Sequence, residues 1–437
     1  MKKTTKKTTL RLSPALQKAN AAYSKAYPGE SDARQPVHTV YGGAQLFKHD
    51  TAPKLGARAL QALDENAPTP IALAEAFGLR VPDGREPAEY AATLHARVRS
   101  KLEREAVEDF RIDFEDGYGQ RSDADEDGHA QSAAREVAKG LKQGTLPPFI
   151  GLRIKSLSSE LAGRSLRTLD LFVTTLVGEA KGVPPGFVVT LPKITNREQV
   201  VAIEQRLTTL ERRLRLKPGV LKLELMVETP QSIFDTEGRA ALPALVAAAK
   251  GRCTGAHFGT YDYTASLSIT AAQQAMSHPA CDFAKHMMQA TLAGTGVMLS
   301  DGATAVMPVG DRAAVQRAWR RHFDDVRASL RQGFYQGWDL HPAQLPSRYT
   351  AVFSFFLEGL APASARLRNF IDKAAQATLV GDVFDDAATG QGLLNYFLRG
   401  VGCGAITPEE ASATGLTLDE IRTRSFVAIL KGRRGRA

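Results

Sequence analysis

Charged side chains gather at the ends of apolar runs in this chain. Asp113, Glu115 and Asp116 end "FRIDFED", and Arg153 sits in "FIGLRIK". Lys193 ends "FVVTLPK", Glu228 ends "LKLELMVE", Asp262 lies in "GAHFGTYDY", and Asp339 and His341 lie in "GWDLHP". Glu228 and Asp262 are 34 residues apart, the length of one strand–helix–strand step. Neighbouring strands run ~4.8 Å apart, so carboxylates at adjacent strand ends can share one cation. Two carboxylates with the other positions open to water or substrate oxygens suit Mg2+; the competing reading is that each acid caps the helix that follows it. Arg153 is a charge inside an apolar strand, costly to bury unless paired. Asp113, Glu115 or Asp116 can pair it. The result is either a structural ion pair or a guanidinium aimed at a developing oxyanion.

The acid-rich stretch "RIDFEDGYGQRSDADEDG", residues 111–128, divides in two. Its first acids end a strand. Its second group imitates half of a calcium loop, but the twelfth position is Ala134 where a bidentate Glu is required. Asp123 to Asp127 are therefore read as the opening of the helix "AQSAAREVAKGL", where negative charge suits the dipole. His278 and His286 lack the helical spacing of a metal pair, and "LAGTGVMLSDG" lacks the spacing of a dinucleotide loop.

Such groups need rigid supports at fixed intervals. Eight β-rich runs supply them: 37–43, 110–116, 149–155, 187–193, 221–228, 255–263, 303–309 and 337–342. Helical patterns separate the runs, among them "NREQVVAIEQRLTTLERRL" with Asn196 as N-cap and "DRAAVQRAWRRHFDDVRASLRQG" with Asp311 as N-cap. Eight alternating units predict a (β/α)8 TIM barrel, in which catalytic groups stand where strands end. Tyr41, Gly42 and Gly43 at the end of the first run could approach a ligand, but a tight turn is the favoured reading. From about residue 346 onward the pattern is helical with no strands. The expected organisation is a basic N-terminal segment (1–35), a barrel (36–345) and a helical C-terminal domain (346–437).

Composition excludes several classes. The net charge is +9, and the tails account for all of it: Lys2, Lys3, Lys6, Lys7 and Arg11 at one end, Lys431, Arg433, Arg434 and Arg436 at the other. The body is balanced, so no nucleic-acid partner is expected. No run of eighteen apolar residues predicts a membrane span. The first residues are basic without an apolar stretch, so no secretory signal is expected. Three scattered cysteines, Cys253, Cys281 and Cys403, fit a reducing cytoplasm and no disulfide framework.

Taken together, "DFEDG", "LPKITNREQV", "LELMVETPQSIF", "GAHFGTYDYTAS", "GWDLHPAQLPSRY" and "FDDAATGQGLLNYF" occur in the order seen in malate synthases. They also resemble the wider superfamily of citrate lyase β-subunits and HpcH/HpaI-type aldolases, over roughly residues 110–400. The "DDAAT" string inclines the resemblance toward the malate-synthase-like branch. It implies a TIM barrel with Mg2+ on Glu228 and Asp262, an electrophilic Arg153, an acidic motif of Asp113, Glu115 and Asp116, and a catalytic base at Asp386, with Asp385 as the neighbour to be told apart from it. It further implies that Lys193, Gly259, Thr260 and His341 join Arg153 against the substrate. Thr260 and Tyr261 stand where malate synthases have Arg-Trp. The implied chemistry makes or breaks a carbon–carbon bond between a 2-oxo acid and an acyl-CoA thioester, in a homo-oligomer. A CoA-independent class II aldolase and a non-catalytic barrel that binds a metal and a keto acid are the alternatives.

Overall fold

The structure, a computed structural model, describes residues 13–31, 33–372, 378–380, 383–385, 387–425, 428–429 and 432–433. Eight parallel strands close into a barrel: β1 (His38–Gly43), β2 (Asp109–Asp113), β3 (Phe149–Arg153), β4 (Val188–Leu191), β5 (Lys222–Val227), β6 (Cys253–Phe258), β7 (Met298–Ala303) and β8 (Gln336–Asp339). β1 pairs with both β2 and β8, which completes the ring.

Alternate residues of each strand point inward, and here the lower interior is polar. Arg111 donates to Asp109, to Thr190 Oγ1 at 3.0 Å and to Glu224 Oε2 at 2.6 Å. Thr39 donates to Asp109 at 2.8 Å, and Gln336 donates to Thr39 at 3.0 Å. The network supplies its buried charges with partners, the condition under which such charges are tolerated. Burial opposes ionisation of Glu224, but Arg111 and then His257 hold its carboxyl well below the usual range.

The outer helices begin as the sequence indicates. Asn196 and Asp311 accept from Gln199 N and Ala314 N and open helices Arg197–Arg213 and Arg312–Arg331. Ser122 caps Asp123–Gln143, with Asp123, Asp125 and Glu126 in the first turn. The segment between β1 and β2 forms three helices, Thr51–Asn66, Pro70–Phe77 and Pro87–Glu105, the second stacking Phe77 on the fully buried Trp319 at 5.5 Å.

Four features differ from the sequence expectation. The seventh strand is Met298–Ala303, five residues earlier than the apolar run 303–309. Ser300, Asp301 and Gly302 break its apolar pattern; Asp301 is buried because Lys285 (3.2 Å) and Ser329 (2.6 Å) reach it from the helices. Val306 and Val309 of the expected strand are exposed. Second, Gly42 and Gly43 are part of β1 and make no turn. Third, Leu345–Asp372 is one long helix packed against Arg312–Arg331 and Pro87–Glu105, so it closes the outer ring, and the expected boundary at 346 falls at its first turn. Fourth, a hairpin of β9 (Thr378–Val380) and β10 (Val383–Asp385) lies in the region read as wholly helical. Three-residue strands are too short to carry a period. A helix, Pro14–Ala26, occupies part of the basic N-terminal segment, and all its residues are exposed. Among the described residues no helix is long and apolar enough to cross a membrane.

Candidate active site

The C-terminal ends of the strands surround a cavity of about 400 Å³. Its walls include Tyr41, Asp113, Asp116, Arg153, Glu228 and Asp262. On β2 and β5 the pleat sets them there: Arg111 and Glu224 of the lower network are followed two and four positions later by Asp113 and Glu228.

Arg153 ends β3 and is buried. Its Nε donates to Asp113 Oδ1 at 2.7 Å and its Nη2 to Asp113 Oδ2 at 2.6 Å. Nη1 lies 3.3 Å from Glu115 Oε2 and 3.5 Å from Asp116 Oδ2. The guanidinium rests over the Tyr41 ring at 4.8 Å, and that ring packs on Trp338 at 4.7 Å. Burial disfavours the Arg153 cation, but Asp113 and Glu115 more than restore it.

Lys193 follows β4 in the left-handed region, φ +49°, a conformation uncommon for a residue with a Cβ. It is half-buried. Its backbone N–H donates to Glu228 Oε1 at 2.6 Å. Its ammonium donates to Glu115, lies 3.2 Å from Asp116 Oδ1, and approaches Asp262 Oδ2 at 3.5 Å. One residue thus touches four carboxylates. Burial works against its charge, yet Glu228 and Glu115 outweigh that and raise the ammonium above its usual range.

Glu228 is buried, and its carboxyl is pushed up to about 8 by burial and then by the Asp262 charge. Glu115 is likewise raised by burial, while Asp116 is lowered: burial opposes its ionisation, and Glu115, Arg153 and Lys193 overcome that. Gly259 is required here by space. A Cβ at this position would lie 2.5 Å from both Cβ and Oε2 of Glu228. Thr260 opens the short helix Thr260–Ser266, which carries Asp262 in its first turn.

The fold therefore brings Glu115, Asp116, Arg153, Lys193, Glu228, Gly259, Thr260 and Asp262 together. His341 is placed differently: its Nδ1 accepts from Ala343 N at 3.2 Å and caps the turn Pro342–Gln344, and it is not among the residues that line the cavity, although Leu340 beside it is. Asp339 is buried outside it, tied to His38 (2.7 Å), His322 (3.1 Å) and Arg348 (2.8 Å). Asp386 lies outside the described residues, and of Asp385 only its place in β10 is described. Tyr41, Met226 and Trp338 also contribute to the site. Each occupies an inward position in the last turn of pleat of its strand, the parity signal that could have found them.

The donor set bears on a metal. Among the described residues no group of three or more His, Cys, Asp or Glu side chains is arranged to hold an ion. Glu228 and Asp262 offer two carboxylates on the open side of the barrel. A divalent cation would relieve the repulsion that keeps Glu228 raised, and Mg2+ accepts a shell completed by water or substrate oxygens. The residues present fit such an ion.

A family model described as "Domain of unknown function (DUF6986)" matches residues 16–429, and the chain belongs to that family. No curated protein matches it. Among solved structures it is similar to a citrate lyase from Burkholderia xenovorans LB400, at 18% identity over 89% of this chain and 99% of that chain, with a TM-score of 0.57. A malate synthase from Haloferax volcanii, in a magnesium/glyoxylate complex, matches at 15% identity over 92% and 98% of the two chains, with a TM-score of 0.47. At 18% identity the likeness to the citrate lyase is one of fold.

Proposed function

We propose that this member of the DUF6986 family is a Mg2+-dependent carbon–carbon lyase or synthase acting on a 2-oxo acid, with an acyl-CoA thioester as the second reactant. The observation that carries the reading is the facing arrangement of Glu228 with Asp262 and of Arg153 around one cavity at the C-terminal mouth of the barrel. Mg2+ bound by Glu228 and Asp262 would orient the 2-oxo acid and polarise its carbonyl.

The chain's own groups do the rest. Asp386, assigned from the motif resemblance, takes the α-proton of the thioester. The resulting carbanion attacks the carbonyl carbon, and the π electrons pass to its oxygen. Arg153 stabilises the enolate or alkoxide oxygen through its Nη1 edge, the one not bonded to Asp113. Asp113, Glu115 and Asp116 hold that guanidinium in place, and Lys193 balances the acids around it. The same groups serve cleavage in reverse.

The test is a thermal-shift series with short 2-oxo acids and CoA thioesters, with and without Mg2+, followed by solvent deuterium exchange into the stabilising ligand. Stabilisation by a 2-oxo acid only when Mg2+ is present, and by a thioester, is the expected result. Stabilisation by the 2-oxo acid with no thioester effect favours a CoA-independent aldolase. Binding without exchange or turnover leaves a non-catalytic barrel.

A further inference from the structure

Three side chains on the cavity wall carry polar atoms that the fold shields from solvent and gives no hydrogen-bond partner: the Tyr41 hydroxyl, the Thr260 hydroxyl and the Trp338 indole N–H. A fourth such atom, His257 Nδ1, belongs to a ring 6.4 Å from that of Trp338, one layer further into the barrel. Its other nitrogen is 3.3 Å from Glu224. Thr260, Trp338 and His257 are all at least nine-tenths buried. Shielded polar atoms are normally paired, because each one left unpaired keeps its desolvation cost.

These residues are held, not loose. Trp338 packs with Met226, Ala303 and Tyr41. Tyr41 is clasped between the Trp338 ring and the Arg153 guanidinium. Thr260 fits because position 302 is glycine; a Cβ there would lie 2.2 Å from Thr260 Oγ1. Tyr261 ties the adjacent loop down by donating to Ala303 O and accepting from Ala305 N, both at 2.9 Å.

The donor inventory sets the ligand class. An indole N–H can only donate, and the two hydroxyls can each donate. A carboxylate, which accepts at both oxygens and offers no proton, suits such a set of donors. The Arg153 cation against the Tyr41 ring favours negative charge nearby. Arg153, however, commits two of its nitrogens to Asp113, so it does not by itself form the bidentate grip a carboxylate would otherwise use.

We propose that Tyr41, Thr260 and Trp338 form a subsite for a second carboxylate, so that the preferred 2-oxo acid is a dicarboxylate. The 1-carboxylate and 2-oxo group face Glu228 and Asp262, and the distal carboxylate takes the three donors. This rests on the 2-oxo acid reading above. It adds a requirement on the far end of the molecule.

Two matched pairs test it. 2-Oxoglutarate and 2-oxopentanoate share a chain length and differ in a terminal carboxylate against a methyl group, as do oxaloacetate and 2-oxobutyrate. Affinities of the full-length protein with Mg2+ are measured by calorimetry. The wild type should prefer the dicarboxylate of at least one pair by on the order of tenfold or more. Thr260→Val, near-isosteric, and Trp338→Phe should each bring that ratio down several-fold toward one. Tyr41→Phe, which keeps the ring under Arg153, should do the same. Circular dichroism and Tm identify any variant that fails to fold, and Thr260→Val decides the matter if Trp338→Phe does. Equal binding of both members of each pair overturns the subsite and leaves the 2-oxo acid reading standing. An unchanged ratio in the folded variants also overturns it. Binding of no 2-oxo acid at all overturns both.

Discussion

Asp113 and Arg153 are register partners at the last residues of β2 and β3, and they meet in two parallel hydrogen bonds. The carboxylate is then saturated by its own loop, accepting from Glu115 N at 2.9 Å and Gly117 N at 2.7 Å. Its task is therefore to aim the guanidinium, whose Nη1 edge remains toward Glu115 and Asp116 at the cavity.

Arg153→Lys keeps the charge and loses the planar fork. Turnover should fall by roughly 10²-fold, as for removal of one oxyanion donor. Asp113→Ala leaves a buried guanidinium without its fork partner and should cost about 3–5 kcal/mol of stability. Near-normal kcat in Arg153→Lys would reduce the pair to a structural one.

Lys193 separates backbone from side chain. Its left-handed φ favours glycine, while its ammonium serves the acids. Lys193→Gly and Lys193→Ala both lose the ammonium, but only glycine takes the backbone without strain. Urea denaturation should find the Gly variant more stable than the Ala variant by about 1 kcal/mol. Both should lose activity, and equal stability of the two would show that the local backbone carries no strain.

Much of this was legible in the sequence, and the losses have physical causes. Charges such as Glu228 and Asp262 stand out because each closes a run of sequence rich in apolar residues. The same rule fails for β7, where Ser300 and Asp301 interrupt the run and Asp301 is met by Lys285 and Ser329 from the flanking helices. Asp339 and His341 carry the strand-end signal too, yet one binds Arg348 and the histidines while the other caps a turn. Charge at a strand end shows that a polar partner exists; it does not say whether the partner is substrate or protein. Trp338 is hidden for the opposite reason, since an aromatic residue in a strand reads as ordinary core, and Tyr41 is masked because the glycines beside it read as a turn.

Glu228 gives a pH dependence. Its folded-state carboxyl lies near 8 against an ordinary 4.5. Between those values the folded protein binds the proton that the unfolded chain has released. Stability of the metal-free protein should thus fall as pH rises from about 5 to about 8 and then level off. Glu228→Gln lacks this term and should be the more stable protein at pH 9, by up to about 5 kcal/mol for a shift of that size. Denaturation curves at pH 6 and pH 9 measure the difference. Millimolar Mg2+ should recover the loss in the wild type and leave the Gln variant unmoved. Parallel pH profiles for the two proteins would mean that Glu228 is not held protonated by its surroundings.

Gly259→Ala tests the metal carboxylate without touching it. The backbone at Gly259, φ −105° and ψ 93°, suits any L-residue, so alanine introduces no backbone strain. What it introduces is a methyl group 2.5 Å from Glu228 Cβ and Oε2. The carboxyl end of Glu228 can swing aside, but its Cβ is fixed to β5, so β5 and the Gly259 turn must part slightly. Overpacking of this kind costs about 1–3 kcal/mol, which a barrel of this size tolerates. The displaced carboxylate no longer meets Asp262 in the same geometry. Calorimetric Mg2+ affinity should therefore drop by on the order of tenfold while the far-ultraviolet circular dichroism stays that of the wild type; tenfold is the equivalent of about 1.4 kcal/mol. Full Mg2+ affinity in a folded Gly259→Ala protein would show that the ion does not depend on where Glu228 sits, and the ligand pair would have to be sought among the other acids of the cavity, Glu115 and Asp116 first.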